Sequence, residues 1–205
     1  LDLDPDRSSA HGDQEALCAL DPASGGTGTW HAAERAALAS AVRLLGAVWP
    51  AMLDELRASV TRVALLDGTT ADDDRAQGAV LIGRHCFTPS PDGLLGSVRL
   101  AEALVREGTR AVYDAAAERE PFARARQPAE AVRRMVVLSR CALLYRRLLE
   151  SGPAAEPAME RRHALLLTEL GEAVAAAGAH RSELTDHGLR LLDRSARLTS
   201  GAVLP

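Results

Sequence analysis

Small and aliphatic side chains recur three and four residues apart over residues 30–48, and that spacing predicts an amphipathic helix. Pro50 then starts or kinks a second helical piece running to about residue 59, because proline is tolerated in a helix's first turn. The pattern changes at VTRVALL (60–66) and AVLIG (79–83), aliphatic runs that predict two short strands joined by the acidic loop DGTTADDDRAQG. RHCFTPSPDG, with two prolines and a glycine, reads as a loop leading into a helix that contains Arg106. EREPFARARQP breaks that helix. Three more follow, over about 129–150, 158–177 and 186–198, the last with Thr185 as its N-cap.

These elements predict a mainly α fold with a small β element (α+β), in which a short β-hairpin or strand pair lies beside a zincin-like helix. Residues 1–28, ending in SGGTG, read as a flexible acidic segment, and 29–205 as a single helical domain. No internal repeat is visible.

Composition narrows the chemistry more than the fold. Lysine and asparagine are absent, and all 24 cations are arginine. A Walker A lysine, a Schiff-base lysine and a Ser-Lys dyad are thereby excluded, as is an N-glycosylation acceptor. Cys18, Cys86 and Cys141 form no CxxC pair, and their odd number favours a reducing compartment over a disulfide framework. No run reaches the roughly 18 to 20 apolar residues of a membrane span. The opening LDLDPDRSSAHGD has no apolar signal core. A soluble, cytoplasmic protein is the expectation.

The net charge of −4 is unevenly spread, with ten arginines against five acids over residues 119–162. Such a segment can meet phosphates, but with only 3% aromatic residues there is little to stack on bases, so solvated helix faces explain the arginines more simply.

The segment ALVREGTRAVYD carries the candidate chemistry. Arg106-Glu107-Gly108-Thr109-Arg110 has the spacing of the zincin signature HExxH, with arginine wherever the motif needs histidine. At 100° per residue Val98, Ala101, Val105, Gly108 and Val112 share the core face, with Leu104 and Ala115 at its margin. Arg106 and Arg110 fall roughly opposite, in a ladder Glu102, Arg106, Arg110, Asp114 that gives each arginine an acid one turn away. A guanidinium stays protonated and offers no lone pair to a cation, so neither position holds zinc or iron, and Glu107 alone is a weak general base.

Around this motif the chain resembles the HEXXH-motif peptide-modification family. The pieces in question are the strand pair, LAEALVREGT, the segment RQPAEAVRRMVVLSRCALLYRRLL and the closing LTDHGLRLL, in that order over roughly residues 60–192. These bacterial proteins are commonly encoded with ribosomally made, post-translationally modified peptides (RiPPs), and characterised members are iron- and 2-oxoglutarate-dependent hydroxylases. The resemblance places the first metal histidine on Arg106, the second on Arg110 and a downstream one near Arg133 or Arg134, with Arg134 the better match; Glu107 is retained. It implies shared ancestry, fold and pathway, while each expected metal ligand is lost.

The resulting expectation is a metal-free, non-catalytic homologue without a cofactor. It would bind a precursor peptide, a peptide-modifying enzyme, or both, with oligomerisation left open. Should Arg134 approach Arg106 and Arg110, three guanidiniums would line the old cleft and call for counter-charge, from Glu107 and Glu102 or from an external carboxylate or phosphate.

Two other readings compete. One is an enzyme with a rearranged site, such as a metal- and 2-oxoglutarate-dependent hydroxylase, drawing on His85, His187, Asp186 or Glu107. The other is a helical regulator binding nucleic acid through its arginines. Among remaining candidates, His85 beside Cys86 is a loop pair whose spatial adjacency sequence cannot establish. Asp72, Asp73 and Asp74 lack the EF-hand spacing and read as a solvated loop. Arg133, Arg140 and Arg147 recur every seven residues, which marks an outer helix face, whereas residues 165–167, Leu170 and Val174 read as core.

Overall fold

A computed structural model of the protein describes residues 31–60, 62–66, 79–87, 93–151 and 156–200. The acidic segment 1–28, the loop joining the strands and its Asp72 to Asp74 lie outside the described residues. The architecture is mainly α with a small β element. The described residues fall into two compact units, with the boundary inside a helix between Ala111 and Val112.

The first unit begins with α1 (Ala32–Val48) and α2 (Pro50–Ser59). Glu34 Oε2 accepts from the His31 N–H at 2.8 Å, occupying a donor at the start of α1 that the helix itself leaves open. Trp49 separates the two helices with an extended φ of −151° and is wholly buried. Pro50 occupies the first position of α2, where its missing N–H costs nothing. Val60 caps α2, its N–H donating to Leu56 O at 2.7 Å, so the strand expected from Val60 starts at Arg62 instead.

Strands β1 (Arg62–Leu66) and β2 (Ala79–Gly83) pair in parallel, with Arg62 opposite Ala79 and Leu66 opposite Gly83. The hairpin form of the expectation is therefore corrected to a parallel strand pair. Parallel neighbours need a crossover of about a dozen residues rather than a tight turn, and residues 67–78 supply that length. Val63, Leu65, Val80 and Ile82 are buried. The expected loop after β2 begins as a short 3₁₀ turn, Arg84–Phe87.

Helix α3 (Gly96–Arg119) buries Val98, Ala101, Leu104 and Val105 as its spacing predicts. Burial extends further, to Leu100 and Thr109. Gly108 is where α2 closes on α3, because a Cβ there would overlap Leu56 Cδ2. Ala115, expected at the margin of the core face, is exposed.

The second unit comprises the last turns of α3 with α4 (Arg126–Ser151), α5 (Pro157–Gly178) and α6 (Asp186–Thr199). Helix α4 begins three residues before the expected 129, since Pro128 sits in its first turn, where no intrahelical N–H is required. Pro157 opens α5 in the same way. Every residue of α4 from Met135 to Tyr145 is buried. Arg140 is wholly buried, so the seven-residue arginine repeat does not mark an outer face. Its period is real, but no side of α4 along this stretch is left to solvent. Leu166 and Leu170 are core as expected, whereas Leu165 is 49% exposed on α5.

The connection between α3 and α4 is laced to the start of α6. Arg124 N donates to Glu183 O at 2.9 Å and Thr185 N to Phe122 O at 3.1 Å, around the antiparallel bridge of Ala123 with Leu184. Thr185 Oγ1 donates to Pro121 O at 3.0 Å and accepts from the Gly188 N–H at 3.3 Å, which is the N-cap the sequence indicated. Tyr113 packs its ring 4.8 Å from Phe122 and donates its hydroxyl to Ala129 O at 3.0 Å. Ser139 Oγ meets Ser195 Oγ at 2.9 Å between α4 and α6, so these buried hydroxyls satisfy one another. No helix among the described residues is long and apolar enough to cross a membrane.

Gly188 is required at the α6 docking point, where a Cβ would overlap the Phe122 carbonyl oxygen. Gly188→Ala is expected to destabilise the protein by about 1–3 kcal/mol, although alanine favours helix by about 1 kcal/mol. Gly171→Ala, whose Cβ would meet no atom within 4 Å, is expected to stabilise by about 0.5–1 kcal/mol. Urea unfolding of both variants checks this, and shifts of the same sign would contradict the packing described.

Candidate functional site

Helix α3 carries the motif positions on one continuous turn and a half. Glu102 Oε1 accepts from Arg106 Nη2 at 2.7 Å, the i, i+4 pair that the spacing predicts. The next rung differs. Arg110 Nη1 donates to Glu107 Oε1 at 2.7 Å, three residues back, and Asp114 meets Arg133 Nη1 at 3.4 Å instead of Arg110. The expected ladder is thus corrected to two local pairs followed by a pair from α3 to α4. Arginine's length lets it choose among several acids within reach, and spacing alone does not rank them.

The two α3 pairs differ in setting. The Glu102 side chain is only 10% exposed, and a carboxylate so far from water needs a compensating charge. Glu107 and Arg110 are more open, at 25% and 39%, so their pairing is worth only about 0.2–1 kcal/mol. Glu107 is occupied by the Arg110 guanidinium. Arg134 lies exposed on α4, in the second unit, while Arg106, Arg110 and Glu107 share α3 in the first.

The donor set at these positions does not fit a divalent metal. The resemblance would put a histidine at each of three positions, two on the motif and one downstream, and all three are guanidiniums here, each positive and without a free lone pair. Among the described residues no three His, Cys, Asp or Glu side chains gather as a metal site would need.

Cys86 stands in the 3₁₀ turn, half-buried, within electrostatic reach of Arg99, Glu102, Arg106 and Glu107. Burial pushes its thiol above the ordinary range; Arg99 and Arg106 pull it down, and Glu102 and Glu107 push it up. The result is a thiol that stays protonated at neutral pH, unlike an activated nucleophile. His163 on α5 is shifted down, first by burial and then by Arg146, so it is neutral over the working range.

His187, raised by the sequence only as a member of a rearranged site, has a defined partner. Its Nδ1 lies 2.7 Å from Glu120 Oε1, and its ring centroid is 6.1 Å from that of Phe122. Phe122, His187, Arg190, Leu191 and Arg194 line a cleft of about 140 Å³ in the second unit. Sequence reasoning missed this grouping. The spacing 187, 190, 191, 194 was visible as one face of a helix, but nothing in the sequence signals that Phe122 lies opposite it.

No protein-family profile matches the chain, and no curated protein matches it.

Two outcomes check the electrostatics of this region. Arg106→Gln is expected to lower stability by about 1–3 kcal/mol, because it withdraws a charge partner from the nearly buried Glu102. Arg110→Gln is expected to cost about 0.2–1 kcal/mol; equal losses on denaturant unfolding would show that the two pairs do not differ as their burial implies. For Cys86, alkylation mapped by mass spectrometry is expected to rise with pH through an inflection above that of free cysteine, since its folded thiol is shifted upwards. An inflection below free cysteine would mean the arginines outweigh burial.

Proposed function

We propose that the protein is a metal-free, non-catalytic relative of the HEXXH-motif peptide-modification proteins. It acts as a subunit that binds a precursor peptide or a peptide-modifying enzyme in RiPP biosynthesis, in the cytoplasm. The observation supporting this reading is the state of the motif itself. Arg106 and Arg110 occupy the histidine positions, and each is held 2.7 Å from a carboxylate of the same helix. A helix built this way presents ordered, alternating charge, which serves recognition and register. Neither arginine supplies an electron-pair donor where a metal ligand of that family would stand.

An acidic or phosphorylated ligand would bind by exchange. Its oxyanions would replace Glu107 on Arg110, the more exposed of the two guanidiniums, while Arg106 stays with Glu102 and keeps the helix face in place. Arginine suits this role, because its planar fork grips carboxylate and phosphate groups through two parallel bonds.

The test uses the full chain and a peptide rich in Asp, Glu and phosphoserine. Binding is expected in wild type, to weaken at least about tenfold in Arg110→Glu, and to survive in Arg99→Gln. Unchanged affinity in Arg110→Glu, with a thermal melt showing it folded, would dismiss α3 as the binding face. Stoichiometric iron or zinc in protein purified without chelator would overturn the metal-free reading itself.

A further inference from the structure

Helix α5 turns a nearly uncharged face to solvent. Between residues 164 and 176 its exposed positions are Ala164, Leu165, Thr168, Glu172, Ala175 and Ala176, and Glu172 alone among them is charged. The outer face of α6 instead carries Arg190, Asp193, Arg194 and Arg197, as a solvated helix ordinarily does. Leu165, at 49%, is one of two large hydrophobic side chains exposed among the described residues.

Four of the exposed residues form a line. Arg161, Leu165, Thr168 and Glu172 follow one another at intervals of four, three and four residues. At 3.6 residues per turn they lie within about 40° of a common line along the helix, and Ala175 and Ala179, also exposed, continue it. Alternating intervals of three and four are those of a helix that packs lengthwise on a second helix. Leu166, Leu170, Ala173 and Ala177 occupy the opposite, buried side, so the seam is additional to the packing that seats α5 in its own unit.

Charge along the seam selects what covers it, because the pattern is complementary to its own reversal. With a two-fold axis midway between Leu165 and Thr168, Leu165 of one copy meets Thr168 of the other. Arg161 then meets Glu172, and each contact occurs twice, as an isologous interface requires. A parallel pairing would set Arg161 against Arg161 and Glu172 against Glu172. Glu172 makes no ion pair or hydrogen bond among the described residues. Arg161 is already engaged within its own chain, but the five donors of a guanidinium leave room for a second carboxylate. Within one helix the two residues stand about 16 Å apart along the axis, too far to pair with each other.

We propose that α5 is the contact between two copies of this chain, packed antiparallel over residues 157–176. Alanine along the seam lets the two axes approach at the short end of the roughly 8–10 Å found for packed helices, and each copy inserts Leu165 as its one large side chain. The Arg161–Glu172 pairs at either end fix direction and register. One helix seam is smaller than a standard interface, so the dimer is weak, with a Kd of roughly 10–100 μM. The assignment uses α5 alone and is independent of the role given to α3.

The experiment is sedimentation velocity of the full chain over about 2–400 μM, for wild type, Arg161→Glu, Glu172→Arg and an equimolar mixture of the two variants. Wild type is expected to pass from monomer to dimer across that range. Each variant alone opposes like charges across the seam and should dimerise at least about tenfold more weakly. In the mixture, a pair made of one of each restores both Glu–Arg contacts, and dimerisation should return to within about threefold of wild type. Both positions are exposed, and circular dichroism shows whether each variant keeps its helices. Wild type that stays monomeric throughout, variants that dimerise as wild type does, or a mixture no tighter than its components would each overturn the proposal.

Discussion

Arginine keeps its proton across the whole working range of pH, and this governs what helix α3 can present. With two such residues a turn apart, the helix must recruit carboxylates to compensate them. It does so from its own sequence, through Glu102 for Arg106 and Glu107 for Arg110. Glu107 is thereby drawn into an ion pair. The acids of α3 thus serve as charge compensation for its arginines. The proposed role in binding draws on this paired, ordered charge.

The same helix is constrained from its apolar side. Gly108, between Glu107 and Thr109, leaves room for Leu56 at the end of α2. One face of a single turn is thus fixed by close packing and the other by paired charge. The ion pairs hold Arg106 and Arg110 against the helix. Ordered side chains lose less entropy when a ligand exchanges for an internal partner.

In the second unit, order at the cleft comes from the backbone. Segment 121–124 and residues 183–185 exchange hydrogen bonds, and Thr185 caps α6 while also donating to Pro121 O. The Thr185 hydroxyl is used both as donor and as acceptor, which ties the start of α6 to the preceding connection. On α4 of the same unit, Arg140 is wholly buried. A heptad of arginines promises a solvated face only where the helix has one.

Much of the fold was legible because local chemistry decides local structure. Pro50 opens a helix, Thr185 caps one, and Gly83 ends a strand, each for a reason confined to a few neighbouring residues. The apolar face of α3 and the Glu102–Arg106 pair were fixed by helical geometry in the same way. Strand direction, the partner of Asp114, the burial of Arg140 and the exposure of Leu165 depend instead on which elements come to lie beside one another. The α6 cleft belongs to this second group. The sequence by itself set helices, caps and permanent positive charge at 106 and 110; tertiary structure alone brought Phe122 to the stripe of His187, Arg190 and Arg194, because a contact some 65 residues apart in the chain leaves no periodic trace in either segment.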